Sequence, residues 1–180
     1  AAHDTDAFNR WEACQRLMLA QLMPEATTAE EREGLMQTLL RLADDPALSD
    51  GFKLLCLTPP SEALVAEHWC SEGHAIDPSA IRRRLEALRL AMALALEPLM
   101  KPLDAQVDTT EQAEHYQPSG PAAGRRALQH LAQWLLTLLS PTQDRAQQLL
   151  KRYFAATNMT RRMACLSGLV SLQGIAAQPC

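Results

Sequence analysis

The stretch that decides the fold is 76–100, with the sequence IDPSAIRRRLEALRLAMALALEPLM. Asp77 is a strong helix-capping residue, and Pro78 suits the first helical position because its missing N–H is not needed there. An apolar stripe follows at spacings of three and four residues: Ile81, Leu85, Leu88, Met92, Ala95 and Leu99. Leu90 and Leu94 form a second stripe beside it. The pattern predicts a long helix that is covered on two sides.

The composition favours helices throughout the chain. Apolar residues make up 47% and charged residues 21% of the 180 residues, which are ordinary values for a globular protein that folds in water. Aromatic residues make up only 4%, and the abundance of Leu, Ala, Gln, Glu and Arg favours helices over strands. Because no apolar run reaches 18 residues, no membrane-spanning helix is predicted.

Helix-start signals recur along the whole chain. They are capping residues, capping boxes of Thr with a Glu three residues later, and prolines at first helical positions. The predicted helices begin near Asp6, Thr27 or Thr28, Leu48, Ser61, Asp77, Pro121, Ser140, and Thr157 or Asn158. About eight helices joined mostly by short turns predict an all-α fold. We expect antiparallel helix pairs stacked in a layered or superhelical array of the armadillo or HEAT kind, as one segment over 1–180.

One interruption is predicted inside this segment. Pro98 lacks a backbone donor and clashes with the preceding turn, so the long helix is expected to end or kink near Glu97. Residues 102–120 are polar and contain two prolines and a glycine. They are therefore predicted to form a long polar connection.

The charge distribution is uneven but does not predict nucleic-acid binding. Residues 1–114 hold 10 Lys and Arg against 20 Asp and Glu, whereas residues 115–180 hold 7 against 1. The basic residues of the last third come as doublets on separate predicted helices without interleaved aromatic residues. Phosphate affinity needs clustered cations, and the net charge of the whole chain is −4, so no nucleic-acid partner is expected.

The cysteines are scattered, odd in number and without CxxC spacing: Cys14, Cys56, Cys70, Cys165 and Cys180. This distribution suits reduced thiols in the cytoplasm better than a disulfide framework. We interpret the cysteines as small apolar side chains and predict a cytoplasmic location.

No catalytic, cofactor-binding or metal-binding residue is predicted. A zinc peptidase motif needs two histidines one helical turn apart in the form HExxH, and no histidine of the chain has that spacing: His3, His68, His74, His115 and His130. The one weak metal alternative is His68, Cys70 and His74, which fall within seven residues. Their spacing matches no standard zinc motif, so an ordinary loop is favoured.

Three stretches, in order along the chain, resemble the C-terminal helical domain of bacterial aminopeptidase N, a family of zinc-dependent gluzincin aminopeptidases. They are DAFNRWE at 6–12, PSEALVAE at 60–67 with IDP at 76–78, and AGRRAL at 123–128 with ATNMT at 156–160. The chain departs from the family at Ala7, where proline is expected, at Cys14, where glycine is common, and at Arg161, where an acidic residue often follows. These changes affect caps and surface charge and leave the fold prediction unchanged.

This resemblance implies a parent enzyme that removes N-terminal residues from peptides. Its zinc is held by HExxH and a downstream glutamate in a more N-terminal catalytic domain, so the present segment is expected to be inactive and to hold no cofactor. The helical domain is expected to cover the active-site cavity, to limit access to small peptides and to continue beyond Cys180. Its implied partners are therefore the catalytic domain and the remaining helices of the same polypeptide, with peptides as substrates of the parent.

Two alternatives stay open at this point. One is a free-standing helical-repeat scaffold that binds a protein partner in a concave groove. The other is a small metal or thiol protein centred on His68, Cys70 and His74.

Overall fold

The structure is a computed structural model, and it describes residues 6–25, 27–113 and 117–176. These ranges contain eight α-helices and no strand: α1 (Ala7–Gln21), α2 (Ala29–Asp44), α3 (Asp50–Leu57), α4 (Glu62–Ser71), α5 (Pro78–Ala113), α6 (Gly120–Leu139), α7 (Gln143–Ala155) and α8 (Met159–Ala176). The prediction of an all-α fold with about eight helices is confirmed. None of these helices combines the length and apolarity that a membrane crossing needs.

Capping side chains fix where the first two helices begin. The Asp6 carboxylate accepts hydrogen bonds from the backbone N–H groups of Phe8 and Asn9 at 2.7 and 3.2 Å. Thr28 and Glu31 form a reciprocal capping box, with bonds of 3.1 and 2.8 Å. These contacts satisfy N–H groups that have no partner within a helix. The predicted starts of α1 and α2 are confirmed.

Helix α5 begins as predicted but continues much further. Asp77 accepts hydrogen bonds from Ser79 and Ala80 at 2.9 and 3.1 Å, and the helix then runs through Pro98 and Pro102 to Ala113. Of the predicted end or kink near Glu97, the end is wrong; a kink there stays a prediction. The predicted connection over 102–120 is also wrong for residues 102–113, because these residues are helical. Residues 114–116 lie outside the described part of the chain.

The positions of the prolines explain why α5 tolerates them. Pro98 and Pro102 are one turn apart, and each leaves the carbonyl of the residue four positions earlier without its helical donor. Leu94, Pro98 and Pro102 are all exposed, so both missing hydrogen bonds fall on a side of the helix that water can reach. Leu90 and Leu94 are both exposed. The prediction that neighbouring helices cover α5 on a second side is therefore wrong for the described residues.

The described residues group into two compact units. The first takes in the described residues up to Leu48 together with Leu55–Leu96, and the second takes in Ser49–Leu54 together with the described residues from Glu97 onward. That 1–180 forms one segment of a larger helical domain stays a prediction.

The first unit has an apolar core, in which α1 packs against α2. Two long side chains reach the carbonyls where α1 ends: the Trp69 indole Nε1 donates to the Leu22 carbonyl at 2.9 Å, and Arg84 Nη2 donates to the Pro24 carbonyl at 2.6 Å. Helix ends leave carbonyls without intrahelical donors. These contacts therefore connect α4 and α5 to the turn after α1. The main core residues are Cys14, Met18, Leu22, Leu35, Leu39, Leu42, Cys56, Val65, Trp69, Ile81, Leu85 and Met92.

In the second unit, α8 packs against α6 and α7. Two helix starts differ slightly from the sequence prediction. Helix α6 begins at Gly120, one residue before Pro121, and α7 begins at Gln143 rather than after Ser140. The backbone N–H of Ser140 still bonds to the Leu136 carbonyl at the end of α6, and Thr142 supplies the cap of α7 instead. The predicted cap of α8 by Asn158 is confirmed by its 3.0 Å bond from the Arg161 N–H.

Glycine at position 124 allows a close backbone approach within the second unit. A Cβ atom there would lie 2.7 Å from the Gly51 nitrogen and 3.1 Å from the Gly51 Cα. Backbone atoms cannot rotate away as the end of a flexible side chain can. The start of α3 and the start of α6 therefore depend on glycine at this position.

Gly124→Ala is expected to destabilise the protein by about 1–3 kcal/mol, because the added methyl group overpacks a backbone contact. Gly34→Ala is the matched control, since Gly34 is exposed within α2 and a Cβ there meets nothing within 4 Å. The control should raise stability by about 0.5–1 kcal/mol through helix propensity. Urea unfolding followed by circular dichroism measures both changes, and an unchanged midpoint for Gly124→Ala would contradict the packing argument.

Candidate functional site

His68, Cys70 and His74 lie at and just after the C-terminal end of α4. Gly73 has φ of +80°, and its N–H bonds to the Cys70 carbonyl at 3.1 Å. The His74 N–H bonds to the Trp69 carbonyl at 2.9 Å. This pair of hydrogen bonds is the Schellman motif, which closes a helix with a left-handed residue, usually glycine. The stretch that offered a metal alternative is thus a helix terminus.

The three side chains of that alternative are not brought together as a metal site. His68 and Cys70 are two residues apart on α4, so they differ in direction by about 200° around the helix. His74 instead lies 3.2 Å from a Glu25 carboxylate oxygen. In the part of the chain that the structure describes, no group of three or more His, Cys, Asp or Glu is arranged to hold a metal ion. His3, His115 and Cys180 lie outside that part.

The second unit contains a buried charged cluster formed by Asp104 of α5 with Arg145 and Arg152 of α7. Arg145 binds both carboxylate oxygens, at 2.9 and 3.2 Å, and Arg152 approaches one of them at 2.6 Å. The three residues are only 6%, 9% and 4% exposed. Burial by itself raises the pKa of Asp104, but hydrogen bonds from the two arginines outweigh it and hold the pKa below its ordinary value. Asp104 is therefore an anion in the folded protein at neutral pH.

Helix α6 completes the cluster through polar groups. Beyond its bonds to Asp104, Arg145 donates to the Thr137 hydroxyl at 3.1 Å, to the Gln133 carbonyl at 2.9 Å and to the Gln148 amide oxygen at 2.7 Å. All five N–H groups of its guanidinium thus have acceptors. Arg152 also donates to the Gln133 side chain at 3.2 Å. The cluster connects α5, α6 and α7 through directional bonds.

This cluster was not predicted from the sequence. Asp104 fell in the predicted connection, and the basic residues of the last third were interpreted as doublets on separate predicted helices. One signal was present: Gln129, Gln133 and Thr137 follow each other at four-residue spacing beside the apolar stripe of α6, and all three are buried. A polar stripe that borders a core stripe indicates a buried polar partner on a neighbouring helix.

Asp104→Asn should leave two buried guanidinium groups without their anion and lower the free energy of unfolding by about 3–5 kcal/mol. Asp50→Asn is the control, because Asp50 pairs with the exposed Arg125 at 3.7 Å and such a pair contributes at most about 1 kcal/mol. Chemical denaturation of both variants makes the comparison. A loss at Asp104 no larger than at Asp50 would show that the cluster does not hold the second unit together.

His130 on α6 lies near two other arginines of the second unit. Burial, together with the charges of Arg161 and Arg126, lowers its pKa to about 4. Arg161 itself is buried and donates to the Val107 carbonyl at 2.8 Å. His130 is therefore neutral at pH 7.

The surface feature with the clearest functional meaning is an apolar face on the last two helices. On α8, exposed side chains recur at spacings of four and three residues: Met159, Met163, Leu166 and Val170. On α7, Leu150 and Phe154 are exposed one turn apart, and Phe154 is 78% exposed. We call these six residues the α7–α8 apolar face. The inward side of α7 carries Arg145, Leu149 and Arg152.

Exposed apolar stripes on packed helices are typical of repeat domains, in which each helix pair is covered by its neighbour. The described helices and this uncovered face define a helical-repeat domain. The sequence matches, over residues 1–180, the family described as "Domain of unknown function (DUF3458_C) ARM repeats". The chain belongs to this ARM-repeat family.

Two aminopeptidases are similar to this chain. The chain is 31% identical over 175 residues to aminopeptidase N of Caulobacter vibrioides, covering 96% of this chain and 19% of that protein. Its fold is similar to that of Legionella pneumophila aminopeptidase A, crystallised in complex with aspartic acid. The TM-score is 0.74 at 18% identity, with coverage of 98% of this chain and 21% of that one. The chain thus spans about a fifth of either protein. The resemblance to aminopeptidase N predicted from the sequence is confirmed.

Proposed function

We propose that the chain is the non-catalytic helical part of a zinc aminopeptidase that removes N-terminal residues from peptides. The observation that carries the proposal is the alignment of 96% of the chain with about a fifth of an aminopeptidase N. The sequence has no HExxH, which is the arrangement that a gluzincin uses to bind zinc and activate water. The proposal therefore assigns the zinc ligands and the catalytic glutamate to polypeptide outside residues 1–180, in a cytoplasmic enzyme.

Within such an enzyme, we propose that this domain covers the active-site cavity and restricts it to small peptides. A cover must dock stably on the rest of the polypeptide, and docking surfaces between domains are apolar at their centre. The α7–α8 apolar face supplies a surface of this kind. Its partners would be the catalytic domain or further helices of the same chain.

The 180-residue chain alone is expected to bind no stoichiometric zinc and to leave alanine anilides intact. The polypeptide encoded in frame with it should contain HExxH, and the complete protein should hydrolyse the same anilides until a chelator removes zinc. Metal analysis, an anilide assay and the flanking coding sequence test this. Chelator-sensitive turnover by the pure 180-residue chain would overturn the proposal. A flanking sequence without HExxH would favour the free-standing scaffold instead.

The isolated chain is also expected to self-associate through its apolar face, because solvent-exposed apolar patches of this kind favour burial. Met163→Glu with Val170→Glu should restore a monomer and leave the helix content unchanged, since both side chains are already in water. The control is Gln147→Glu, an exposed polar position on α7. Sedimentation velocity measures the association state. A wild-type chain that stays monomeric at high concentration would contradict an uncovered docking surface.

In the complete enzyme, the same double substitution should weaken docking of the cover. The ratio of kcat/KM for longer peptides to kcat/KM for alanine anilide is then expected to rise, because larger substrates gain access to the cavity. An unchanged ratio alongside a demonstrably loosened domain, measured by limited proteolysis, would count against a role in substrate access.

A further inference from the structure

A groove with a volume of about 330 Å³ lies within the first unit. Helix α5 lines it with Arg84 and with Ala87, Leu88 and Ala91, which follow that arginine by three, four and seven residues. Positions at these spacings share one face of a helix. Because two of the four side chains are short, this face leaves room for a ligand and presents apolar surface to it.

The other lining residues come from the end of α1 and the start of α2. Gln21 is the last residue of α1, Thr27 directly precedes the α2 cap, and Arg32 lies in the first turns of α2. Gln21 and Thr27 can each donate and accept hydrogen bonds. The guanidinium groups of Arg32 and Arg84 thus line one cavity, which we call the Arg32–Arg84 groove.

The two arginines have no acidic partner in the groove. No aspartate or glutamate is among its lining residues, and no described carboxylate forms an ion pair with Arg32 or Arg84. Glu25 and Glu31 line a cavity beside it. The first of them lies against His74, and the second is held in the capping box of α2. The groove therefore carries positive charge that the described residues do not neutralise.

Arg84 is held in place and still has donors for a ligand. Its Nη2 donates to the Pro24 carbonyl at 2.6 Å, and its side chain is partly exposed. A guanidinium has five N–H donors, and this is the one hydrogen bond that Arg84 makes to the described residues. A side chain that is already ordered loses less entropy when a ligand binds. Arg84 is therefore positioned for an anion before that anion arrives.

We propose that the Arg32–Arg84 groove binds a small organic carboxylate with an apolar body. A planar carboxylate matches the paired N–H donors of a guanidinium, and the apolar body packs on Ala87, Leu88 and Ala91. Cavities that bind small molecules combine apolar walls with a few polar groups and have volumes from about 300 Å³ upward. This groove is at the lower end, so the ligand is small. The proposal goes beyond the role of the chain in an aminopeptidase and does not depend on it.

Other ligand classes fit the groove less well. A metal cation would meet two positive charges and no carboxylate among the lining residues, whereas hard cations bind through carboxylate and carbonyl oxygens. Inorganic phosphate would satisfy the arginines but leave the apolar face of α5 in water. A carboxylate with an apolar body uses both parts of the groove.

The test is a titration of the ¹⁵N-labelled 180-residue chain, followed through the backbone amide signals by nuclear magnetic resonance. Isovalerate is expected to bind with a Kd on the order of 1 mM and to shift the signals of Ala87 and Ala91. Isovaleramide, which lacks the charge, and inorganic phosphate, which lacks the apolar body, should each bind about tenfold more weakly. The proposal is overturned if isovalerate leaves these signals unmoved, or if either other probe binds as tightly.

Charge variants on α2 test the role of the arginines. Arg32→Gln should weaken binding of isovalerate and of phosphate by about tenfold, because charge-assisted hydrogen bonds are lost. Arg32→Lys should recover part of both affinities. Arg41→Gln is the matched control, since Arg41 is exposed on the same helix and does not line the groove. Equal affinities for Arg32→Gln and Arg41→Gln would contradict binding by Arg32.

A size variant on α5 tests the apolar part of the groove. Ala87→Leu fills space beside the arginines, and the fold should tolerate it because Ala87 is exposed and leucine favours helices. Isovalerate should then bind about tenfold more weakly, whereas phosphate should bind as before. Circular dichroism checks that the helix content is unchanged. An unchanged affinity for isovalerate in the folded variant would show that its body does not occupy the groove.

Discussion

Burial of the Asp104 carboxylate between two arginines is the constraint on which the second unit depends. Ions lose much hydration free energy when they leave water, and a buried pair recovers it only with close geometry and full hydrogen bonding. Here both requirements are met, because every N–H of Arg145 finds an acceptor on α5, α6 or α7. Such bonds are directional, so they specify the alignment of the three helices more narrowly than apolar contacts do. The packing of α8 on α6 and α7 builds on that alignment.

Helix identity and helix caps could be predicted from the sequence because they depend on local chemistry. The Asp6, Thr28 and Asp77 caps act on N–H groups two or three residues away, and the apolar stripes need only helical geometry. The length of α5 could not be predicted, because tolerance of Pro98 and Pro102 depends on which side of the helix faces water. The partners of Asp104 could not be predicted either, because they lie tens of positions away in the sequence.

For α8, the sequence pattern does not predict which face of the helix is buried. Met159, Met163, Leu166 and Val170 recur at helical spacing, as core residues do, yet they lie on the exposed face. The buried face carries Arg161, Cys165 and Gly168, which do not resemble an apolar core stripe. Periodicity identifies a face that favours burial, but it does not say which surface buries it. The direction was settled by partners of Arg161 such as the Val107 carbonyl, which no sequence pattern near α8 reveals.

Both α7 and α8 therefore have an inverted arrangement, with arginines directed inward and large apolar side chains directed outward. Burial of apolar surface contributes roughly 25 cal/mol of stabilisation for each square ångström. The six exposed large side chains do not make this contribution when the chain is isolated. Inward arginines are tolerable because buried acceptors satisfy them, whereas nothing among the described residues compensates the outward face. The arrangement becomes favourable once another apolar surface covers that face. The chain spans about a fifth of its aminopeptidase relatives, and in a complete enzyme of that kind further polypeptide would be present to cover this face. The proposed role as a docked cover therefore accounts for the inversion better than a free-standing scaffold does.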